Sequence, residues 1–181
     1  MRRIAVAALL FAALPVLSAN AQATSAPAAK PADVASLDAI IKTLYDVISG
    51  PAGQARDWDR FRSIFAPGAR LIPTGRDAAG KSAIRAVWSP DDYVKTAGAN
   101  LEKNGFFERE IGRTVDQYGN VVHVFSAYDS RRTAADAAPF SRGINSIQLY
   151  NDGTRWWVVS IFWESESPSN PIPAKYLTPK D

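Results

Sequence analysis

Glu110, His123 and Asp129 are the side chains in this sequence best placed by type to move a proton. Glu110 sits in "FFEREIGR" two residues after Glu108, so on an extended strand the two carboxylates share one face, with Arg109, Ile111 and Arg113 on the other. A strand covered by helices on one side must bury some of these charges or line a cavity with them. Burial without a counter-charge raises a carboxyl pKa, which makes Glu110, as the inward member, a candidate general base. The competing reading is a solvated outer face whose cross-strand ion pairs contribute about 0.2–1 kcal/mol each. His123, in "VVHVF", is the sole imidazole, and Asp129 stands near the end of the same strand, so either could serve as the base instead. Asp57 reads as a helix cap rather than a base.

Other chemistries find less support. With no cysteine and one histidine, a metal site would rest on carboxylates, and no Asp/Glu group has metal-ligand spacing, so no metal is expected. There is no Gly-x-Ser-x-Gly elbow, and His123 is the only base that a nucleophilic serine could use. The run "TGRDAAGKSA" (74–83) looks superficially like a phosphate-binding loop, and we read it as a chance match in an exported chain.

The binding residues must come from the segments around "NDGTRWWVVSIFW" (151–163). A three-residue loop with Gly153 in the left-handed bulge position would pair Tyr150 with Thr154. One face then collects Asn145, Ile147 and Leu149 with Trp157, Val159, Ile161 and Trp163; the other collects Arg142, Gln148, Trp156 and Phe162. The first face is almost wholly apolar except for Asn145, whose amide would cost about 1–3 kcal/mol if left unpaired. A local hydrogen bond or a contact inside a ligand pocket would each satisfy it. Tyr45 and Trp58 lie beside apolar helix stripes, so the candidate pocket residues are Tyr45, Trp58, Asn145, Trp157 and Trp163.

These residues need helices first and strands last to hold them. Ser36 can cap a helix with Leu37, Ile40, Ile41, Leu44 and Ile48 on one side, stopped at Gly50-Pro51. Asp57 can cap a short second helix carrying Trp58, Phe61, Ile64 and Phe65, and Ser89-Pro90 opens a third over about 89–104. "ARLIPTG" (69–75) reads as a short strand, and "SAIRAVW" (82–88) is ambiguous. After Gly105, four strand-like segments follow with tight turns at Gly119-Asn120 and Asp152-Gly153. The expected fold is α+β, with three N-terminal helices on a strongly curved, mainly antiparallel sheet.

The N-terminus sets a compartment. Arg2 and Arg3, an apolar run from Ile4 to Leu17 and the small-x-small pattern Ala19-Asn20-Ala21 predict a signal peptide over 1–21, cleaved after Ala21. That run is too short for a spanning helix, which needs roughly 20 apolar residues. Residues 22–35 read as a flexible Ala/Pro-rich leader, 36–167 as one domain and 168–181 as a Pro-rich tail. Removing Arg2 and Arg3 takes Lys plus Arg from 21 to 19 against 18 Asp plus Glu, leaving +1. Nucleic acid and membrane are therefore not expected partners. An exported chain without cysteine is expected to be a soluble periplasmic or secreted protein stabilised by its core.

The combination "FFEREIGR…YGNVVHVFSAYDSRR…FSRGINSIQLYNDGTRWWVVSIFWESE…PIPAKYL" resembles exported bacterial proteins of the nuclear transport factor 2-like superfamily, over about residues 36–166. That superfamily includes SnoaL-like polyketide cyclases, ketosteroid isomerase, scytalone dehydratase and limonene epoxide hydrolase. The resemblance implies a cone with a pocket between sheet and helices, a homodimer through the outer sheet face, and no cofactor. It implies no shared activity, since function lives in the site, and no catalytic residue is carried over from it. The expected function is binding of a small, mostly apolar molecule. The alternatives are a cofactor-independent isomerase, cyclase or dehydratase, and a non-catalytic interaction module.

Overall fold

The computed structural model describes residues 27–76 and 80–177. The segment read as a signal peptide, the first residues of the leader and the last four of the tail lie outside the described residues. Among the described residues no helix is long and apolar enough to cross a membrane. The α-helices of the described residues are α1 (Pro31–Val34), α2 (Leu37–Asp46), α3 (Trp58–Ser63) and α4 (Pro90–Asn104). The strands are β1 (Phe65–Arg76), β2 (Ser82–Ile84), β3 (Phe107–Tyr118), β4 (Val121–Arg131), β5 (Ser141–Asn151) and β6 (Trp156–Ser165). They form one open mixed sheet in the order β2-β1-β6-β5-β4-β3, with β1 parallel to β6 and every other pairing antiparallel.

The helices begin where capping chemistry allows. Ser36 accepts a hydrogen bond from the Ala39 N–H, Asp57 from Arg60, and Ser89 with Asp92 forms a reciprocal capping box. The α2 stripe packs Ile40, Ile41, Leu44 and Tyr45 onto Val122, Val124, Ile147, Leu149 and Val158 of the sheet, all buried. Residues 31–34, within the stretch read as leader, form α1, because Val34 reaches this core and Asp33 pairs with Arg60 at 2.7 Å.

Arg56 ties the end of α2 to the end of α4. Its buried guanidinium donates to the backbone carbonyls of Ile48, Gly50, Pro51, Gln54 and Leu101, at 2.5–3.3 Å. It thereby adds a donor to carbonyls at the two helix ends, where intrahelical partners run out. Gly50 has no side chain here because a Cβ would lie 2.7 Å from the Arg56 guanidinium carbon.

Two β-bulges set which side chains face inward. In β3 the register shifts between Glu110 and Gly112, leaving Ile111 as the extra residue. Arg113 therefore shares the inner face with Glu110, rather than lying opposite it as simple alternation expects. In the pairing of β6 with β5 the register shifts between Gln148 and Leu149 of β5, so Leu149 pairs with Val158 and Gln148 with Ser160, leaving Val159 of β6 unpaired. Val158 is consequently fully buried and Val159 is 40% exposed. The turn has four residues between paired Asn151 and Trp156, instead of three after Tyr150. Asp152 holds it by accepting from the Thr154 and Arg155 N–H groups. Together the longer loop and the bulge turn Trp156 inward onto the core and Trp157 outward, the reverse of the expected faces.

The run 74–83 has the full Gly-x4-Gly-Lys-Ser spacing, but it joins β1 to the antiparallel β2, with Gly75 opposite Ala83. A phosphate-binding loop needs a helix after it, and none follows directly. At the other end, residues 166–177 fold back across the outer face of the sheet. There Tyr176 packs on Phe125 with ring centroids 5.1 Å apart.

Candidate functional site

Between α2, α3 and α4 and the inner face of the sheet lies a cavity of about 130 Å³. Leu44, Ile48, Phe61, Leu71, Ile161 and Trp163 supply apolar walls, and Tyr45, Tyr93, Glu108, Tyr128 and Asn145 supply the polar groups. An engineered apolar cavity of about 150 Å³ in another protein binds benzene, so this space suits one small ring.

Glu108 is the carboxylate of this cavity. Ser130 Oγ donates to its Oε2 at 2.8 Å. Burial pushes its pKa up to about 7; hydrogen bonds from Ser130 and Asn145 oppose the rise, and the nearby Asp129 charge adds to it. Its backbone is pinned by Ser49, whose hydroxyl accepts from the Glu108 N–H at 3.0 Å.

The phenols around it remain neutral at ordinary pH. Burial lifts Tyr45 and Tyr93 well above the usual phenol range, with the Glu108 charge adding to both. Burial pushes Tyr128 up to about 12. Tyr45 Oη lies 2.7 Å from Ser126 Oγ and accepts from Asn145 Nδ2 at 3.2 Å. This is the partner that the Asn145 amide requires. Ser126 in turn donates to Glu110 at 2.7 Å. Tyr93 stacks on Phe61 at 5.3 Å, and among the described residues its hydroxyl makes no hydrogen bond.

Of the residues expected in a pocket, Tyr45, Asn145 and Trp163 border the cavity. Trp58 does not: its indole N–H donates to Glu102 at 2.9 Å and its ring meets Phe61 edge-on, behind the wall. Trp157 does not either, because the β6 bulge turns it outward, where it bonds Asp152 and lies under the Arg155 guanidinium at 3.5 Å.

The three expected bases fall elsewhere. Glu110 is buried and paired with Arg113 at 3.1 Å, beside the cavity rather than on it. His123 faces outward, its Nε2 2.9 Å from Ser146 Oγ. Asp129 is buried between Arg109 and Arg131. Burial works to raise its pKa, but hydrogen bonds from Arg131 and Arg109 outweigh this and hold it below the ordinary carboxylate range. Glu108, which alternation placed on the face of Glu110, and Tyr93 on α4 are ionisable residues of the cavity that sequence reasoning did not select. The signal for Glu108 was Gly112: an isolated glycine in a strand marks a bulge, and a bulge there gives Arg113 to Glu110 and leaves Glu108 without it. Among the described residues no three His, Asp or Glu side chains converge as a metal site requires.

No protein-family model matches the chain, and no curated protein matches it. It is similar to solved nuclear transport factor 2-like structures. One, a protein of unknown function from Silicibacter pomeroyi, is 16% identical over 73% of this chain and 94% of that one, with a TM-score of 0.49. Another, of unknown function from Methylobacillus flagellatus, is 15% identical over 73% and 95%, with a TM-score of 0.46. LinA is 8% identical over 77% of this chain and 88% of its own, with a TM-score of 0.49. No residue role is taken from any of them.

Proposed function

We propose that this is an exported nuclear transport factor 2-like protein that binds a small, mostly apolar molecule in the cavity under α2 and α4. The observation that carries the reading is a cavity of one-ring size with aliphatic and aromatic walls and a few convergent polar groups, the usual composition of a ligand site. Native mass spectrometry of the protein purified from its own cell envelope tests it. A bound small molecule should appear with the wild type and vanish in Ile161→Trp, which fills the space. A species retained by that variant, or none in the wild type, would count against the cavity as the site.

Glu108 supports a second reading, a cofactor-independent acid–base enzyme. A carboxyl titrating near neutrality on a cavity wall is suited to abstract a proton from carbon. Deuterium exchange into cyclopentanone, followed by NMR, should then be faster with the wild type than with Glu108→Gln. Equal rates would remove Glu108 as a base. Tyr150, Val159 and Phe162, each about two-fifths exposed on the outer face, support a homodimer there, which light scattering would check.

A further inference from the structure

Glu108 is an acidic group in an aromatic cavity with no basic residue facing it. Tyr45 approaches from α2, Tyr93 from α4, Tyr128 and Asp129 from β4 and Asn145 from β5, and among the described residues no arginine or lysine forms an ion pair with it. Its neighbour Glu110 has Arg113, and Asp129 has Arg109 and Arg131. The polar groups that do reach Glu108 are donors, the Ser130 hydroxyl and the Asn145 amide. Donors stabilise the ionised carboxylate, whereas a carboxyl meant to stay neutral would be met by an acceptor. Among the described residues no positive charge complements this carboxylate.

We propose that the cavity takes a compact organic cation, a protonated amine on a single small ring, with its ammonium group against Glu108. This rests on the cavity being a binding site. Phe61, Tyr93, Phe106, Tyr128 and Trp163 enclose the same space, and aromatic walls attract an organic ammonium group electrostatically. The cavity volume of about 130 Å³ limits the ligand to a ring of five or six atoms with a single substituent. At pH 8 the phenols are uncharged and the ionised Glu108 repels anions, so acids of the same size are disfavoured.

Three isosteric probes separate this inference from the reading beneath it. Cyclopentylammonium chloride, cyclopentanol and methylcyclopentane are titrated into the full chain at pH 8 and followed by ligand-observed NMR. The ammonium compound should bind at least about tenfold more tightly than the alcohol, as a new charge pair in a dry site requires. Glu108→Gln should abolish that preference, so that the ammonium compound binds that variant no more tightly than the alcohol does. In the wild type, lowering the pH from 8 to 6 protonates Glu108 and should weaken ammonium binding about tenfold. Equal or tighter binding of the alcohol, or an ammonium preference that survives in Glu108→Gln, would overturn the inference and leave the cavity as a site for neutral molecules. If none of the three probes binds, the cavity reading and the cation inference fall together.

Discussion

Glu108 and Glu110 stand two residues apart on the inner face of β3, and only Glu110 has a cation: Arg113 lies 3.1 Å from it, whereas Glu108 is held by the Ser130 hydroxyl at 2.8 Å. One strand therefore carries two partly buried carboxylates, one with an ion-pair partner and one held by a hydroxyl. The bulge at Ile111 makes the difference, because it brings Arg113 onto the face that Glu110 occupies.

The Glu108 carboxyl should make stability depend on pH. Its pKa is raised from 4.5 to about 7 on folding, so the native state holds more protons than the unfolded chain between those values. The resulting stabilisation is fully present below about pH 4.5 and is lost as pH rises through 7, a change on the order of 3 kcal/mol. Denaturant titrations should show Glu108→Gln gaining stability relative to wild type between pH 5 and pH 8. A constant difference across that range would refute the assignment.

Arg113 and Glu110 should behave as a buried pair, both side chains being less than a tenth exposed. Arg113→Met strips Glu110 of its cation and should cost about 3–5 kcal/mol. The double variant Glu110→Gln/Arg113→Met should recover much of that loss in the same unfolding assay. Additive losses would mean the two side chains act independently.

The two adjacent tryptophans should differ in energetic weight. Trp156 packs against the core, and Trp156→Ala should cost about 3 kcal/mol. Trp157 faces outward under Arg155, and Trp157→Ala should cost about 1 kcal/mol. Thermal unfolding of the two single variants checks the order, and the reverse order would refute the β6 bulge.

Gly112 should hold the C-terminal stretch on the sheet. A Cβ there would meet the Tyr176 carbonyl oxygen at 2.4 Å and Leu177 Cα at 2.9 Å. Gly112→Ala must displace that stretch, which should then be cut faster by proteases within residues 166–177. Mass spectrometry of a timed digest would show it, and an unchanged cleavage rate would place the stretch elsewhere.

The α+β order, the three capped helices and the four-strand meander were legible in the sequence, because caps and apolar periods are local signals. Ser36, Asp57 and Ser89 each sit at a helix start for the reason their chemistry suggests. The pairing of β1 with β6 was not legible, since a parallel contact between distant strands leaves no local trace. The bulges at Ile111 and Val159 hid the rest of the site. A single extra residue reverses every side chain beyond it, so simple alternation assigned Arg113 and Trp157 to the wrong faces and favoured Glu110 over Glu108.

Arg56 gives the cavity one immovable side. Its five carbonyl bonds fasten residues 48–54 to Leu101, at the two helix ends nearest Phe106. Lifting α4 away there would break the Leu101 bond and leave the buried guanidinium short of a partner. At the opposite end, the first turn of α4 rests on Trp88 and Phe61 through the Tyr93 ring, and on α3 through the solvent-exposed Arg62–Asp91 ion pair at 2.6 Å. One helix is thus gripped by a buried cation at its C-terminal end and by ring contacts and a wet ion pair at its N-terminal end.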